Sequence, residues 1–136
     1  MRILVSACLL GRNCKYSGGN NLCQRVCQLV QGHEVIAVCP EEQAGLGVPR
    51  TPMELVDGVL INKDGVVVDG PVPHAVQEIL KQLPEIDLAV LKARSPTCGA
   101  HQIYDGSFSG KLVDGAGVLA QKLMERGIPV KDEEEI

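Results

Sequence analysis

Aromatic side chains are nearly missing from this chain. It has no tryptophan, one phenylalanine (Phe108) and two tyrosines (Tyr16 and Tyr104), about 2% of 136 residues. The core must therefore be aliphatic, and stacking platforms for single-stranded nucleic acid are scarce. Basic charge is also short: 13 Lys and Arg stand against 17 Asp and Glu, a formal net charge of −4. That leaves no footprint for a phosphate backbone, so a nucleic-acid partner is not expected. No apolar run approaches the ~20 residues of a spanning helix, which argues against a membrane protein. Val5-Ser6-Ala7-Cys8 imitates a lipoprotein cleavage box. The apolar residues before it nevertheless fall short of the roughly 7–15 that a signal segment needs. The expected location is the cytoplasm, where thiols stay reduced and serve metals or catalysis more often than crosslinks.

What the chain does have is aliphatic residues and cysteine. Hydrophobic residues make up 45% of it, and six residues are Cys. This length and composition suit a single domain over 1–136 with a core of its own. Three apolar runs read as buried strands: residues 2–7 (RILVSA), 34–39 (EVIAVC) and 86–93 (IDLAVLKA). Between the first two, Asn20 or Asn21 is expected to cap a helix running to about Gln31, with Leu22, Val26, Leu29 and Val30 on one face. Residues 40–52 (PEEQAGLGVPRTP) are too rich in Pro and Gly for regular structure. Residues 54–70 suggest one or two short β ribbons turning at Asp64-Gly65. Residues 71–83 (PVPHAVQEILKQL) form an amphipathic helix with its prolines in the first turn. A Gly- and Ser-rich loop, a helix closing on Gly127, a short strand (IPV) and a solvated tail (KDEEEI) complete the chain. Apolar strands alternating with helices imply a Rossmann-like, three-layer α/β domain: a mainly parallel sheet, helices on both faces and a small β-hairpin insertion.

In such sheets ligands sit beyond the carboxyl ends of the strands. Cys8, Cys39 and Cys98 each lie at or just past such an end, so three thiols distant in sequence converge on one pocket. Three soft thiolates favour an iron–sulfur cluster, zinc or copper(I). A fourth position stays open for catalysis, or is closed by His101 or Cys14, which would make a binding module rather than an enzyme. Cys14, in a polar loop, carries both a site reading and a packing one. Cys23 and Cys27, four apart on a helix, suit packing. No Cys-x-x-Cys pair is present, and Cys14 and Tyr104 stand where a phosphate-cradling cysteine loop would need arginine. Glu41 and Glu42 follow Cys39; a carboxylate beside a desolvated pocket suits proton transfer. Ser95 is either a turn hydroxyl or a hydrogen-bonding partner of substrate or water. Arg50 and Lys92 are ion-pair partners or orient a polar ligand. Asp114 to Val118 (DGAGV) is a simple turn or an anion site at a helix start.

The motifs SACLLG, NCKY, VCPE, PRTPME, RSPTCG, IYDGSFSG and DGAGV, in this order along nearly the whole chain, resemble a bacterial family that includes the thiouracil desulfidases. The resemblance implies a 4Fe–4S cluster held by three cysteines, which match Cys8, Cys39 and Cys98. It also implies that the fourth iron, without a protein ligand, takes the sulfur of a thiocarbonyl substrate. Water then replaces sulfur on carbon, and hydrosulfide leaves without net redox change. Glu41 matches the family's acid, with acid/base work implied, and Ser95 matches a serine that positions substrate or water. Ser17 departs from the pattern, standing where relatives commonly carry aspartate. Longer relatives carry an appended domain and act on thiolated transfer RNA. With neither that domain nor a basic patch in these residues, the expected partner is a small thiolated base.

Overall fold

The computed structural model describes residues 1–136. Its main sheet has four parallel strands in the order β2-β1-β5-β8: β1 (Arg2–Ser6), β2 (Glu34–Val38), β5 (Leu88–Leu91) and β8 (Val130–Asp132). β1 is central, and its alternate side chains feed two cores. Leu4, with Ala89 and Leu91, packs against α3 (Pro71–Gln82) and α4 (Val118–Glu125) through Val76, Ile79, Leu80, Leu119 and Leu123. Ile3 and Val5, with Val90, pack the opposite face against Val26 of α1 (Gln24–Val30). Burying both faces of β1 is what its unbroken apolar run requires. No helix is long and apolar enough to cross a membrane.

The chain runs from β1 outward to β2, then returns across β1 to β5 and β8. The connections therefore diverge between β1 and β5, and that crevice is the topological switch point at which open α/β sheets bind ligands.

Several local expectations change. Residues 40–52 contain a one-turn helix, α2 (Pro40–Gln43), because Pro40 supplies a preset first helical residue directly after β2. The hairpin of β3 (Met53–Val56) and β4 (Val59–Asn62) turns at Asp57-Gly58, both with positive φ, and not at Asp64-Gly65. The latter makes only a tight turn closed by one bridge, Ile61 to Val67. α1 starts four residues later than Asn20, whose Oδ1 instead accepts from Leu22 N at 3.0 Å, and Leu22 is exposed. The Gly- and Ser-rich loop holds a second hairpin, β6 (Gln102–Tyr104) with β7 (Leu112–Asp114).

The acidic tail is not free in solvent. Asp132 and Glu135 form a reciprocal capping box around a 3-10 turn over Glu133–Glu135. Glu133 Oε1 accepts from Ala93 N at 2.7 Å, Glu134 pairs with Arg94, and Glu135 pairs with His101.

Candidate active site at three strand ends

Each of the three expected cysteines is delivered by the way its strand stops. After β1 the chain tightens into a 3-10 turn, Ala7–Leu10, which ends at the left-handed Gly11 and carries Cys8. Cys39 occupies the N-cap position of α2. Cys98 sits in the turn after β5, where Ser95 Oγ accepts from Thr97 N (3.2 Å) and Cys98 N (3.1 Å). The start of α4 clamps that turn from the other side: Gly117 N donates to Gly99 O (2.8 Å), Val118 N to Pro96 O (3.1 Å) and Leu119 N to Thr97 O (2.8 Å). Those amides are therefore occupied by loop carbonyls, and DGAGV is a packing turn rather than an anion site.

Cys8, Cys39 and Cys98 line one cavity of about 510 Å³ together with Cys14, Glu41, Arg50, Lys92 and Ser95. Cys8, Cys14 and Cys98 are buried, and Cys39 is half-buried. Cys23 and Cys27 lie outside the cavity; Cys23 packs on the core beneath α1, and Cys27 Sγ lies 4.0 Å from Leu9 O. Exposed Ser17 is not a lining residue. His101 is also outside the cavity, half-exposed and paired with Glu135, so it does not complete a set with Cys98. Its ring belongs instead to a trio at the tail with exposed Glu135 and buried Asp132. Of the two residues considered for a fourth position, only Cys14 reaches the cavity. Its carbonyl accepts from Cys39 Sγ at 3.7 Å and from Arg50 at 2.8 Å.

Burial sets the state of these thiols. Desolvation pushes Cys98 up to about 12, against opposing hydrogen bonds from Ser6 and Thr97. Cys14 is also pushed up to about 12, by burial first and then by its neighbour Cys39. Burial raises Cys8 as well, with a hydrogen bond from Asn21 opposing. At neutral pH Cys8, Cys14 and Cys98 are thus neutral thiols, and a metal that binds there must displace protons. The donor set is soft, which suits iron–sulfur, zinc or copper(I) and disfavours magnesium or calcium. Spacing discriminates further. Thiolates sharing one tetrahedral zinc lie about 3.8 Å apart, from a Zn–S distance of about 2.3 Å. The sulfurs of Cys8, Cys39 and Cys98 do not all lie within 4.8 Å of one another, so they are not preset for one shared zinc.

Beside the thiols lies a buried polar chain. Glu41 Oε1 accepts from Arg50 Nε at 2.9 Å, and both side chains are at most 13% exposed. The guanidinium that holds this carboxylate also reaches Gly47 O and Cys14 O, so Arg50 is the ion-pair partner that the sequence offered as one of its two roles. Glu41 Oε2 accepts from Thr97 Oγ1 at 3.1 Å, and Thr97 Oγ1 lies 3.0 Å from Ser95 Oγ and 3.7 Å from Cys98 Sγ. Lys92 is paired too, its Nζ 2.9 Å from Glu133 Oε2.

Sequence reasoning missed Thr97 and Glu133. Thr97 had a signal, a second hydroxyl beside Cys98 in RSPTCG. Glu133 had none, because only the fold brings the tail to Lys92.

With the geometry in hand, the likenesses to known proteins are informative. The chain is 33% identical to the uncharacterised protein YbbK of Bacillus subtilis (strain 168) over 146 residues, covering 98% of this chain and 97% of that one. It superposes on the solved structure of the 4Fe–4S-dependent thiouracil desulfidase TudS with a TM-score of 0.88 and 32% identity. That likeness covers 99% of this chain and 92% of TudS. The 2-thiouracil desulfurase family model matches residues 3–135, and the chain belongs to that family.

Proposed function

We propose that this protein removes sulfur from a thiolated pyrimidine, converting a 2-thiouracil-like base and water to uracil and sulfide, with residues 1–136 acting as one domain. The observation that carries this reading is the convergence of Cys8, Cys39 and Cys98 on the switch-point cavity of a chain in this family. In this reading the three cysteines hold a 4Fe–4S cluster like the one that TudS requires. When bound, the cluster would supply a thiophilic Lewis acid for the thiocarbonyl sulfur.

The rest of the chemistry falls to this chain's own groups. Glu41, already ion-paired with Arg50, takes a proton from the attacking water. Both protons of that water end on the departing sulfur, so a thiocarbonyl and water become a carbonyl and hydrogen sulfide with no electron gained or lost. Ser95 and Thr97 orient the water through the hydroxyl chain that ends on Glu41. Arg50 keeps the carboxylate in place, and Lys92, neutralised by Glu133, adds a donor at the cavity wall. The cavity volume is in the range that encloses a small molecule. Acidic net charge favours a free base over transfer RNA.

Protein purified and reconstituted without air should contain about four irons and four acid-labile sulfides per chain. Serine at position 8, 39 or 98 should abolish cluster retention, whereas Cys23→Ala and Cys27→Ala should keep it. Stoichiometric zinc without labile sulfide, in protein never exposed to air, would overturn the assignment.

A further inference from the structure

The scarce aromatic residues are not spent on packing. All three core clusters are built without one, yet Tyr16, Tyr104 and Phe108 all line the cavity that holds the cysteines. Two of them come from the β6–β7 hairpin: Tyr104 ends β6, and Phe108 lies in the connecting loop. Tyr16 is half-exposed at the rim.

The loop is held in a costly conformation. Phe108 has φ +57°, a left-handed backbone that a bulky side chain rarely adopts. Such strain persists only where the surroundings over-determine it, and it gathers at ligand clamps. Here one buried carboxylate does so. Glu54 Oε1 accepts from Gly106 N at 2.9 Å and from Phe108 N at 3.1 Å. Gly106 presses against β3 so closely that a Cβ would lie 2.8 Å from Leu55 O. The hairpin thus has a fixed seat on β3, and the aromatic side chain is set at the cavity wall.

We infer that Phe108, with Tyr104 beside it and Tyr16 at the rim, forms an aromatic wall that selects a planar, unsaturated ring over a puckered, saturated one. Glu54 is the positioning residue that holds this wall. The inference rests on the desulfidase reading and adds the feature of the base that is recognised. An aromatic face attracts any flat π-system, so the wall reads planarity while polar groups elsewhere read the ring edge.

Uracil and dihydrouracil carry the same polar edge and differ in planarity, and neither has a sulfur to lose. Their affinities for the anaerobically purified protein, measured by calorimetry, therefore isolate the wall. Wild type should prefer uracil by roughly tenfold, as base–aromatic contacts elsewhere are worth. Phe108→Ala should remove most of that preference, and Phe108→Tyr should keep it. Phe108→Leu, which retains apolar bulk, should lose it as well and carries the test if the alanine variant is poorly folded. Glu54→Ala should lose the preference, while Glu54→Gln, which retains an acceptor oxygen, should restore it. In turnover of 2-thiouracil, Phe108→Ala should raise KM and leave kcat largely intact. If folded Phe108→Ala and Phe108→Leu still prefer uracil as wild type does, or if wild type shows no preference while desulfurising 2-thiouracil, the wall is wrong and the desulfidase reading stands. If wild type neither binds uracil nor acts on 2-thiouracil, both fall.

Discussion

Thr97 has one hydroxyl proton and three neighbours that compete for it: Glu41 Oε2, Ser95 Oγ and Cys98 Sγ. The ionised carboxylate is the strongest acceptor of the three, so Thr97 donates to Glu41 and receives the proton of Ser95. A directed chain results, Ser95 to Thr97 to Glu41, closed beyond the carboxylate by Arg50. Because the side chains of Arg50 and Glu41 are mostly shielded from solvent, their pairing is structural as well as electrostatic; leaving either charge alone costs at most about 3–5 kcal/mol. Thr97→Val keeps the shape and breaks the chain. It should lower turnover on the order of 10²-fold while the visible absorption of the cluster persists, and Thr97→Ser should recover most of the loss. Glu41→Gln should cost at least as much turnover and also lower the melting temperature, since Arg50 loses its counter-charge. Unchanged turnover in Thr97→Val would reduce that hydroxyl to packing. Much of this was open to inspection in the sequence, where Glu41 and Ser95 stand beside cysteines. The direction of the chain was not, because it depends on Arg50 and Thr97 meeting the same carboxylate from two other loops.

The turn after β5 owes its shape to α4. A Cβ on Gly117 would lie 2.5 Å from the carbonyl carbon of Thr97 and 2.7 Å from Cys98 N, and backbone atoms cannot swing aside. Gly117→Ala must therefore push the helix start off the cysteine turn. We expect about 1–3 kcal/mol of destabilisation, the usual cost of overpacking, together with reduced iron content. Thermal melts and iron analysis read the two effects separately; an alanine variant with full iron and an unchanged melt would contradict this packing argument. The elements that were readable from sequence share a cause. β1, β5, α3 and α4 have apolar patterns that only their own secondary structure buries, and α3 also has prolines in its first turn; β2, expected to be buried like the others, is an edge strand in which only Val38 is buried. The β6–β7 hairpin has no such pattern, since its strands are three residues long and mostly half-buried or exposed. Its position comes from Glu54, a residue of another hairpin. Choosing between Asp57-Gly58 and Asp64-Gly65 was equally beyond local sequence, because both dipeptides favour the same kind of turn.

Across the molecule, topology does what no local motif could. Residues 8, 39 and 98 meet because β1, β2 and β5 run parallel and end at one edge, and the reversal beside β1 opens the crevice between them. The cysteines were legible for that reason: position relative to a strand end is written in the sequence. Their supporting groups were not, and the acidic tail shows why. Glu133, Glu134 and Glu135 look like solvated charge, yet they clasp Lys92 and Ala93, Arg94 and His101 once β8 has joined the sheet. The central claim is that water replaces sulfur on a thiolated pyrimidine in this cavity, and isotopic labelling tests it most directly. Cluster-loaded wild-type protein would be given 2-thiouracil in water enriched in oxygen-18, without air and without an electron donor. The expected result is uracil carrying the heavy oxygen in place of the sulfur, one sulfide released for each uracil formed, and no product from Cys98→Ser protein. Uracil without the label, turnover that requires a reductant, or equal turnover by the Cys98→Ser protein would contradict it.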